Sequence, residues 1–320
     1  MIKLFGGSAD AENQEQASDY DNGSASWAVV NISVCNLRVK GDYNAGMATQ
    51  ALLGMPMKVL KQGDWVEVCT PYDYIAWVHH RSITLMSKEQ LSQWNKSEQV
   101  IVTSLCTFVY SEPRKKSVSI SDAVAGNRLK KLGVKGAFYY VEFPDGRRGY
   151  ISRACSQEYK TWRQKLSNDA DSIIATALQL NGVSYLWGGT STKGLDCSGF
   201  IWTVFFLHDT LIPRDASQQA QKGMHINISS DFSNLEPGDL IFFGTQGDEN
   251  TATKVSHVGL YIGNLRFIHS LGWVHVSSFN PKDSEYDEYD LNRLLWAQRI
   301  IPVINKDLVL SSTTVNAFYQ

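Results

Sequence analysis

The chain has 320 residues, 43% of them hydrophobic and 19% charged, with a formal net charge of −2. That length exceeds one ordinary core, so two or three domains are expected. The near-neutral charge leaves no electrostatic footprint for nucleic acid or an anionic membrane surface, and no apolar run reaches transmembrane length. Residues 1–7 hold one lysine and a very short apolar patch, which is not a secretory signal. The sequence as it stands therefore predicts a cytoplasmic protein, or a periplasmic or cell-envelope one if a signal peptide was lost from the gene model. The five cysteines (Cys35, Cys69, Cys106, Cys155 and Cys197) are odd in number, scattered, and without a CxxC pair. Neither a disulfide scaffold nor a zinc site is signalled, so free thiols, no metal and no organic cofactor are expected.

Taken in order, residues 1–26 read as a disordered lead-in, rich in Ala, Ser, Asp, Glu, Asn and Gln with little to bury. Over 27–86 the runs WAVVNISV, MPMKVL, DWVEV and YIAWVH are separated by turn signals at Gly41-Asp42, Gly63-Asp64 and Pro71. Short, closely spaced strands of this kind predict a small all-β barrel or sandwich. SKEQLSQW then predicts a helical connector. Residues 97–155 repeat the pattern. A shift of 73 pairs Gly63 with Gly136, Trp65 with Phe138, Val68 with Val141, Pro71 with Pro144, Trp77 with Tyr150 and Val78 with Ile151. Six matches in one register indicate a divergent tandem repeat. The endings DWVEVCTPYDYIAWV and FYYVEFPDGRRGYI resemble those of bacterial SH3-like barrels.

A linker helix is expected over 156–168, and an α+β unit over 169–304. DADSIIATALQL has apolar residues at helical spacing and acidic residues in its first turn. After the strand-like YLW and the break at Gly188-Gly189, an apolar run follows Cys197 directly, too continuous for a surface helix. Strands are expected over 239–244, 257–262, 266–269 and 273–277, with a closing strand over 294–303 and a loose tail over 305–320.

Cys197, on the first turn of such a helix, would meet unpaired N–H groups and the positive end of the helix dipole, which favour the nucleophilic thiolate. A buried structural cysteine is the alternative. A cysteine nucleophile needs a base and a group to orient it. His79, His80, His208 and His225 read as structural or solvated. His257 and His269 lie in strand-like stretches joined by Gly263-Asn264. A plain two-residue turn there would put them on opposite faces. They can share a face only through a bulge or a loop of three or five residues centred on Gly263, and the odd-length loop is expected.

The segments YLWGGTSTKGLDCSGF, IPRDASQQ, LEPGDLIFF and SHVGLYIGN-LRFIHS, four in order, resemble the NlpC/p60 family of papain-like cysteine peptidases over about 169–302. The resemblance implies a multidomain chain: two small all-β SH3-like barrels followed by an α+β papain-like catalytic domain. It implies Cys197 as nucleophile, His257 as base and His269 as the residue orienting it. Substrate contacts would fall on Tyr185, Asp196, Ser198 and Asp215, with the Cys197 N–H and the Tyr185 hydroxyl as candidate oxyanion donors. Peptidoglycan stem peptides or muropeptides would be the substrates, cut at the γ-D-glutamyl–diamino acid bond by a monomer. The module order resembles the dipeptidyl-peptidase VI type, which trims L-Ala-γ-D-Glu from peptides with a free N-terminus. There Tyr74 would contact the N-terminal alanine, but the expected glutamate position falls on Gly46, so Asp42 or Asp73 would have to replace it. An amidase or acyltransferase on the same Cys-His pair, or a silent wall-binding protein, are the rival readings.

Overall fold

The computed structural model describes residues 26–307 and 309–320; the expected lead-in lies outside them but for Ser26. The first β region is one open antiparallel sheet. Its strand order is Met47–Leu52, Val34–Arg38, Ile75–His79, Trp65–Cys69, Pro56–Lys61, Trp27–Val30, Ile83–Met86. A second sheet repeats that order: Ser119–Val124, Cys106–Tyr110, Arg148–Ser152, Phe138–Glu142, Arg128–Lys135, Gln99–Val102, Ser156–Glu158. The register read from the sequence is visible in the cores. Val68 and Val141 are both fully buried on their strands' inward rows, as are Val78 and Ile151. Helix α1 (Lys88–Lys96) connects the sheets and starts with a Ser87–Gln90 capping box. A short helix α2 (Tyr159–Lys165) leads out of the second sheet.

Helix α3 (Ala170–Gln179) follows, capped by Asp169, whose carboxylate accepts the Ser172 N–H. Residues 184–187 form only isolated bridges, Ser184 to Trp273 and Tyr185 to Leu195, rather than the expected strand. Helix α4 (Cys197–Phe206) is buried from Ser198 through Phe206 on every face, as its unbroken apolar run requires. After the single-turn helix α5 (Ala216–Gln219) comes a six-stranded antiparallel sheet. Its strands are β1 (Met224–Ile226), β2 (Leu240–Thr245), β3 (Lys254–Gly263), β4 (Arg266–Leu271), β5 (Trp273–Ser278) and β6 (Leu294–Arg299), arranged β1-β6-β2-β3-β4-β5. A one-turn helix α6 (Glu288–Leu291) lies between β5 and β6. Among the described residues no helix is long and apolar enough to cross a membrane.

The first β region and α4 share one core. Trp202 stacks on Phe206 at 4.7 Å and meets Tyr72 edge-on at 5.1 Å. Gln50 reinforces the join, because its side-chain oxygen accepts from the Thr190 N–H at 3.0 Å and the Ser191 hydroxyl at 3.0 Å. The chain end is not the loose tail expected. Ser311–Ser312 pairs with Thr210–Leu211, Phe318 packs edge-on against Trp27 at 5.3 Å, and Tyr319 lies under the Arg128 guanidinium at 4.5 Å. The polar composition of this tail concealed three anchoring contacts.

Gly199 lets α4 start where it does: a Cβ there would sit 1.9 Å from the Gly189 carbonyl oxygen, a backbone atom with nowhere to go. Gly199→Ala is expected to cost about 1–3 kcal/mol of stability, the range for overpacking. A urea midpoint equal to wild type would contradict this tight approach.

Candidate active site

Asp196 is the N-cap of α4, and its carboxylate accepts the Gly199 N–H at 2.7 Å and the Gly188 N–H at 2.8 Å. Arg214, almost fully buried, grips the same carboxylate through Nη1 at 3.0 Å and Nη2 at 2.6 Å. It also donates to the Ser198 hydroxyl at 3.0 Å and, through Nε, to Thr49 Oγ1 of the first β region at 2.9 Å. A buried arginine is tolerable only when its donors are met in this way. Asp196 and Ser198 border the cavity, yet their polar atoms are already engaged in holding the helix start.

Cys197 opens α4 beside that cap. Burial pushes its thiol up to about 11, and the Asp196 charge adds to the rise; the Ser198 and Val258 N–H groups and Arg214 pull the other way. The helix-end effect expected from the sequence is therefore present but outweighed, and the resting sulfur is a protonated thiol. The Val258 N–H contact also sets the sulfur against the residue that follows His257 in β3.

The two histidines do share a face, by the bulge and not by the odd-length loop. Asn264 and Leu265, both with positive φ (53° and 60°), form a two-residue turn of the primed kind between Gly263 and Arg266. Continued without interruption, that pairing would set His269 opposite Leu260. The register instead shifts between Tyr261 and Gly263, leaving Ile262 unpaired, and His269 lies opposite Gly259. His257 then sits two residues along on the same face. A side chain at Gly259 would meet Phe267 at 3.1 Å and the His269 Cβ at 3.4 Å, so the glycine leaves the ring room.

His257 Nε2 and His269 Nδ1 are 2.8 Å apart, and the next partners fix which atom carries the proton. His269 Nε2 lies 3.1 Å from Ser277 Oγ and 3.2 Å from His275 Nε2. Ser277 gives its own proton to Asp287 Oδ2 at 3.2 Å, so its oxygen accepts from His269. His275 Nδ1 donates to the Trp273 carbonyl at 2.9 Å. The Ser277 contact makes His269 Nε2 the donor and Nδ1 the acceptor. His257 therefore donates through Nε2 and keeps a lone pair on Nδ1. Burial, with the Arg293 and His275 charges, pushes His257 down to about 3. Burial and the His257, His275 and Arg293 charges hold His269 well below its ordinary value. Both rings are neutral at neutral pH.

Asp290, fully buried on α6, is 3.4 Å from His269 Nδ1, 3.9 Å from His257 Nε2 and 3.1 Å from Arg293 Nη2. Burial, then Asp287, raises its carboxyl to about 6, against the lowering effect of Arg293. His257, His269 and Asp290 offer ligand atoms within 4.8 Å of one another, a spacing that would admit a metal ion, though the same ring nitrogens already serve each other.

A cavity of about 670 Å³ joins Cys197, His257, Tyr185, Asp196, Ser198, Asp215 and Tyr74, so of the triad and substrate contacts that the resemblance implied only His269 does not border it. His269 stands behind His257. Burial, followed by the Cys197 and Asp196 charges, pushes Tyr185 up to about 12 and keeps its hydroxyl a proton donor. Asp42 and Asp73 are exposed and outside the cavity, which corrects the expectation that one of them replaces the missing glutamate. Gly46 faces open space, with only a Val39 methyl at 4.0 Å. The carboxylate that meets Tyr74 is Asp215, raised chiefly by burial. Sequence reading missed His275, Ser277, Asp287, Asp290, Arg293 and Arg214. Strand alternation over WVHVSS could have put His275 and Ser277 on one face, and Arg214 stood inside IPRDASQQ; nothing local marks Asp290.

A helix-borne cysteine sharing a cavity with a histidine that is hydrogen-bonded to a second histidine is an arrangement that cysteine peptidases use. The NlpC/P60 family profile matches residues 182–294 and the bacterial dipeptidyl-peptidase Sh3 domain profile residues 37–83. A gamma-D-glutamyl-L-lysine dipeptidyl-peptidase of Bacillus cereus is 32% identical over 233 residues, 70% of this chain and 67% of that protein. Dipeptidyl-peptidase 6 of Lysinibacillus sphaericus is 27% identical over 271 residues, 82% and 94% of the two chains. The crystal structure of an NlpC/P60 family protein from Bacillus cereus superposes with a TM-score of 0.72 at 25% identity, covering 87% of this chain and all of that one. The chain belongs to the NlpC/P60 family, with an SH3-like all-β region ahead of the peptidase domain.

Asp290 makes a signed prediction. Its folded value lies above that of a free carboxyl, so its stability contribution is present at low pH and lost as pH rises through about 6. Asp290→Asn is expected to melt above wild type at pH 8, with the gain gone at pH 4. A melting difference that does not change with pH would contradict the buried, unfavourable charge.

Proposed function

We propose that this cysteine peptidase hydrolyses the γ-D-glutamyl–diamino acid bond of peptidoglycan stem peptides with a free N-terminal L-Ala, releasing L-Ala-γ-D-Glu. The relatives named for that dipeptidyl-peptidase activity support the bond. The hydrogen bond from His257 to His269, behind a cavity that also holds Cys197, carries the chemistry. The chain divides into two SH3-like modules, 27–86 and 97–155, a linker over 156–168 and a catalytic domain over 169–304, and acts as a monomer. The shared strand order of the two sheets supports the duplication.

Cys197 is the nucleophile. Its thiol proton passes to the His257 Nδ1 lone pair as sulfur attacks the γ-carbonyl of D-glutamate. The imidazolium so formed donates to His269 and lies 3.9 Å from the Asp290 carboxylate, which stabilises the charge as it develops. The Cys197 N–H and the Tyr185 hydroxyl receive the tetrahedral oxyanion. On collapse the carbon–nitrogen bond breaks, His257 returns its proton to the departing amine, and a thioester remains. Water, deprotonated by His257, then releases the dipeptide and restores the thiol. His269, Ser277 and Asp287 are positioning residues: they hold the tautomer that leaves Nδ1 free. Asp215, with Tyr74, receives the ammonium of the N-terminal alanine, since Asp196 is engaged by Arg214.

Mass spectrometry of products from L-Ala-γ-D-Glu-diamino acid tripeptides tests this reading. Wild type releases the dipeptide and Cys197→Ala does not. Acetylating the alanine lowers kcat/KM by roughly tenfold or more, the scale expected when a charged partner is lost from a partly enclosed site. Cleavage at another bond, or by Cys197→Ala, would overturn the assignment; equal cleavage of free and blocked peptides would remove Asp215 from amine recognition. Ser277→Ala is expected to lower kcat roughly tenfold with little change in KM, because it loosens the relay without touching substrate.

A further inference from the structure

The cavity carries a second set of charges that these steps leave unused. Resting on the bond assigned above, we propose that Lys254 and Arg293 form a carboxylate-binding subsite for the leaving amino acid. The enzyme thereby favours a leaving diamino acid bearing a free carboxylate near this wall over one presenting only ammonium groups.

The side follows from the chemistry. His257 must protonate the departing amine, so the leaving residue lies against the wall that carries His257. Lys254, Tyr289 and Arg293 belong to that wall, whereas Val39, Met47 and Tyr74 come from the first β region. Three residues before His257, Lys254 would lie on the opposite face of a regular strand. The pairing of β2 with β3 prevents this: Phe243 faces His257, Gly244 faces Val255 and Thr245 faces Lys254, with Ser256 left over as a bulge. One unpaired residue thus returns Lys254 to the face of His257, which is the use bulges have beside active sites.

Arg293 reaches the same place from the other neighbour of β2, its carbonyl accepting the Gly244 N–H at 2.9 Å. A side chain at Gly244 would sit 2.0 Å from the Lys254 carbonyl oxygen, so the glycine allows the backbone of the lysine strand to close in. The guanidinium is held in place, Nη1 on the Tyr289 hydroxyl at 2.9 Å, Nη2 on Asp290 at 3.1 Å, and its carbon 4.5 Å over the Tyr289 ring. Its Nε is buried without a hydrogen-bond partner. Asp290 offsets one of the two positive charges, and among the described residues Lys254 makes no ion pair. The carboxylates that border the cavity are Asp196, neutralised by Arg214, and Asp215, beside Tyr74. This wall therefore carries a net positive charge, which attracts a carboxylate and repels the side-chain ammonium of lysine.

The leaving residue can supply that carboxylate from its side chain, as in diaminopimelate, or from its α-carboxyl when it ends the peptide. Four tripeptides separate the sources: L-Ala-γ-D-Glu followed by lysine or by meso-diaminopimelate, each with a free or an amidated α-carboxyl. Wild type is expected to favour carboxylate-bearing peptides over lysine amide by roughly tenfold in kcat/KM, the scale of a partly screened charge contact. A preference kept by amidated diaminopimelate assigns the side-chain carboxylate; one kept by both free peptides and lost in both amides assigns the α-carboxyl. Lys254→Gln brings the ratio close to one, and Lys254→Glu inverts it. Cleavage of all four peptides at equal rates, or a ratio unmoved in Lys254→Gln, would overturn the subsite and leave the bond assignment standing. Failure to cleave any of the four would overturn the bond assignment, and the subsite with it.

Discussion

The hydrogen bond between His257 and His269 depends on one residue, Ile262, being left out of the hairpin ladder. Take that bulge away and the second imidazole turns to the far face of the sheet, where it can orient nothing. Gly259 makes room for the bulged arrangement, since it offers no side chain to collide with the ring. A second bulge, at Ser256, performs the same service for Lys254. Both irregularities sit on β3, the strand that carries His257. Local breaks in the ladder are how a regular sheet aims side chains that its two-residue period would point away.

The chemistry of the sulfur is set by competition between two effects of position. The start of α4 brings N–H groups to Cys197 and would favour its ionised form, but the surrounding protein removes water, and removal of water wins. The same exclusion keeps both histidines neutral. The resting site is therefore a thiol sharing a cavity with a neutral imidazole; in the proposed mechanism charge separates as substrate is attacked, with Asp290 3.9 Å from His257 Nε2 to compensate the imidazolium. The first β region takes part in this arrangement. Thr49 holds Arg214, Arg214 holds Asp196, and Asp196 caps the helix that carries Cys197. A module that looks like a separate binding unit is thus tied by three hydrogen-bonded links to Cys197.

Much of this was legible in the chain. An apolar run with no polar face had to be an interior helix, and Cys197 at its head was conspicuous. Period-2 alternation and glycine turns located five of the six strands of the final sheet, the short Met224–Ile226 excepted, and the register of 73 anticipated two sheets of one topology. The parity of His257 and His269 showed that an irregularity was required, though not which kind, since a bulge leaves no residue signature where a β-branched Ile262 occupies it. Asp290 was invisible because a four-residue helix has no periodicity to read, and its importance arises only from burial beside residues distant in sequence. The thiol's direction of shift was misjudged for a related reason: helix-end electrostatics are local, while desolvation is a property of the whole packed interior. The final segment looked loose because its anchors, Phe318 and Tyr319, dock on partners far away in sequence.

The central claim is that His257 rests as a neutral imidazole protonated on Nε2, with the lone pair on Nδ1, in the cavity it shares with Cys197. Nitrogen-15 NMR of histidine-labelled protein reads this directly, ring by ring, with His257→Gln to assign the signals. A deprotonated Nδ1 and protonated Nε2 for His257 at pH 7, persisting down to about pH 4, is the predicted result. A His257 ring protonated on both nitrogens at pH 7, paired with a thiolate, or one carrying its proton on Nδ1, would contradict it.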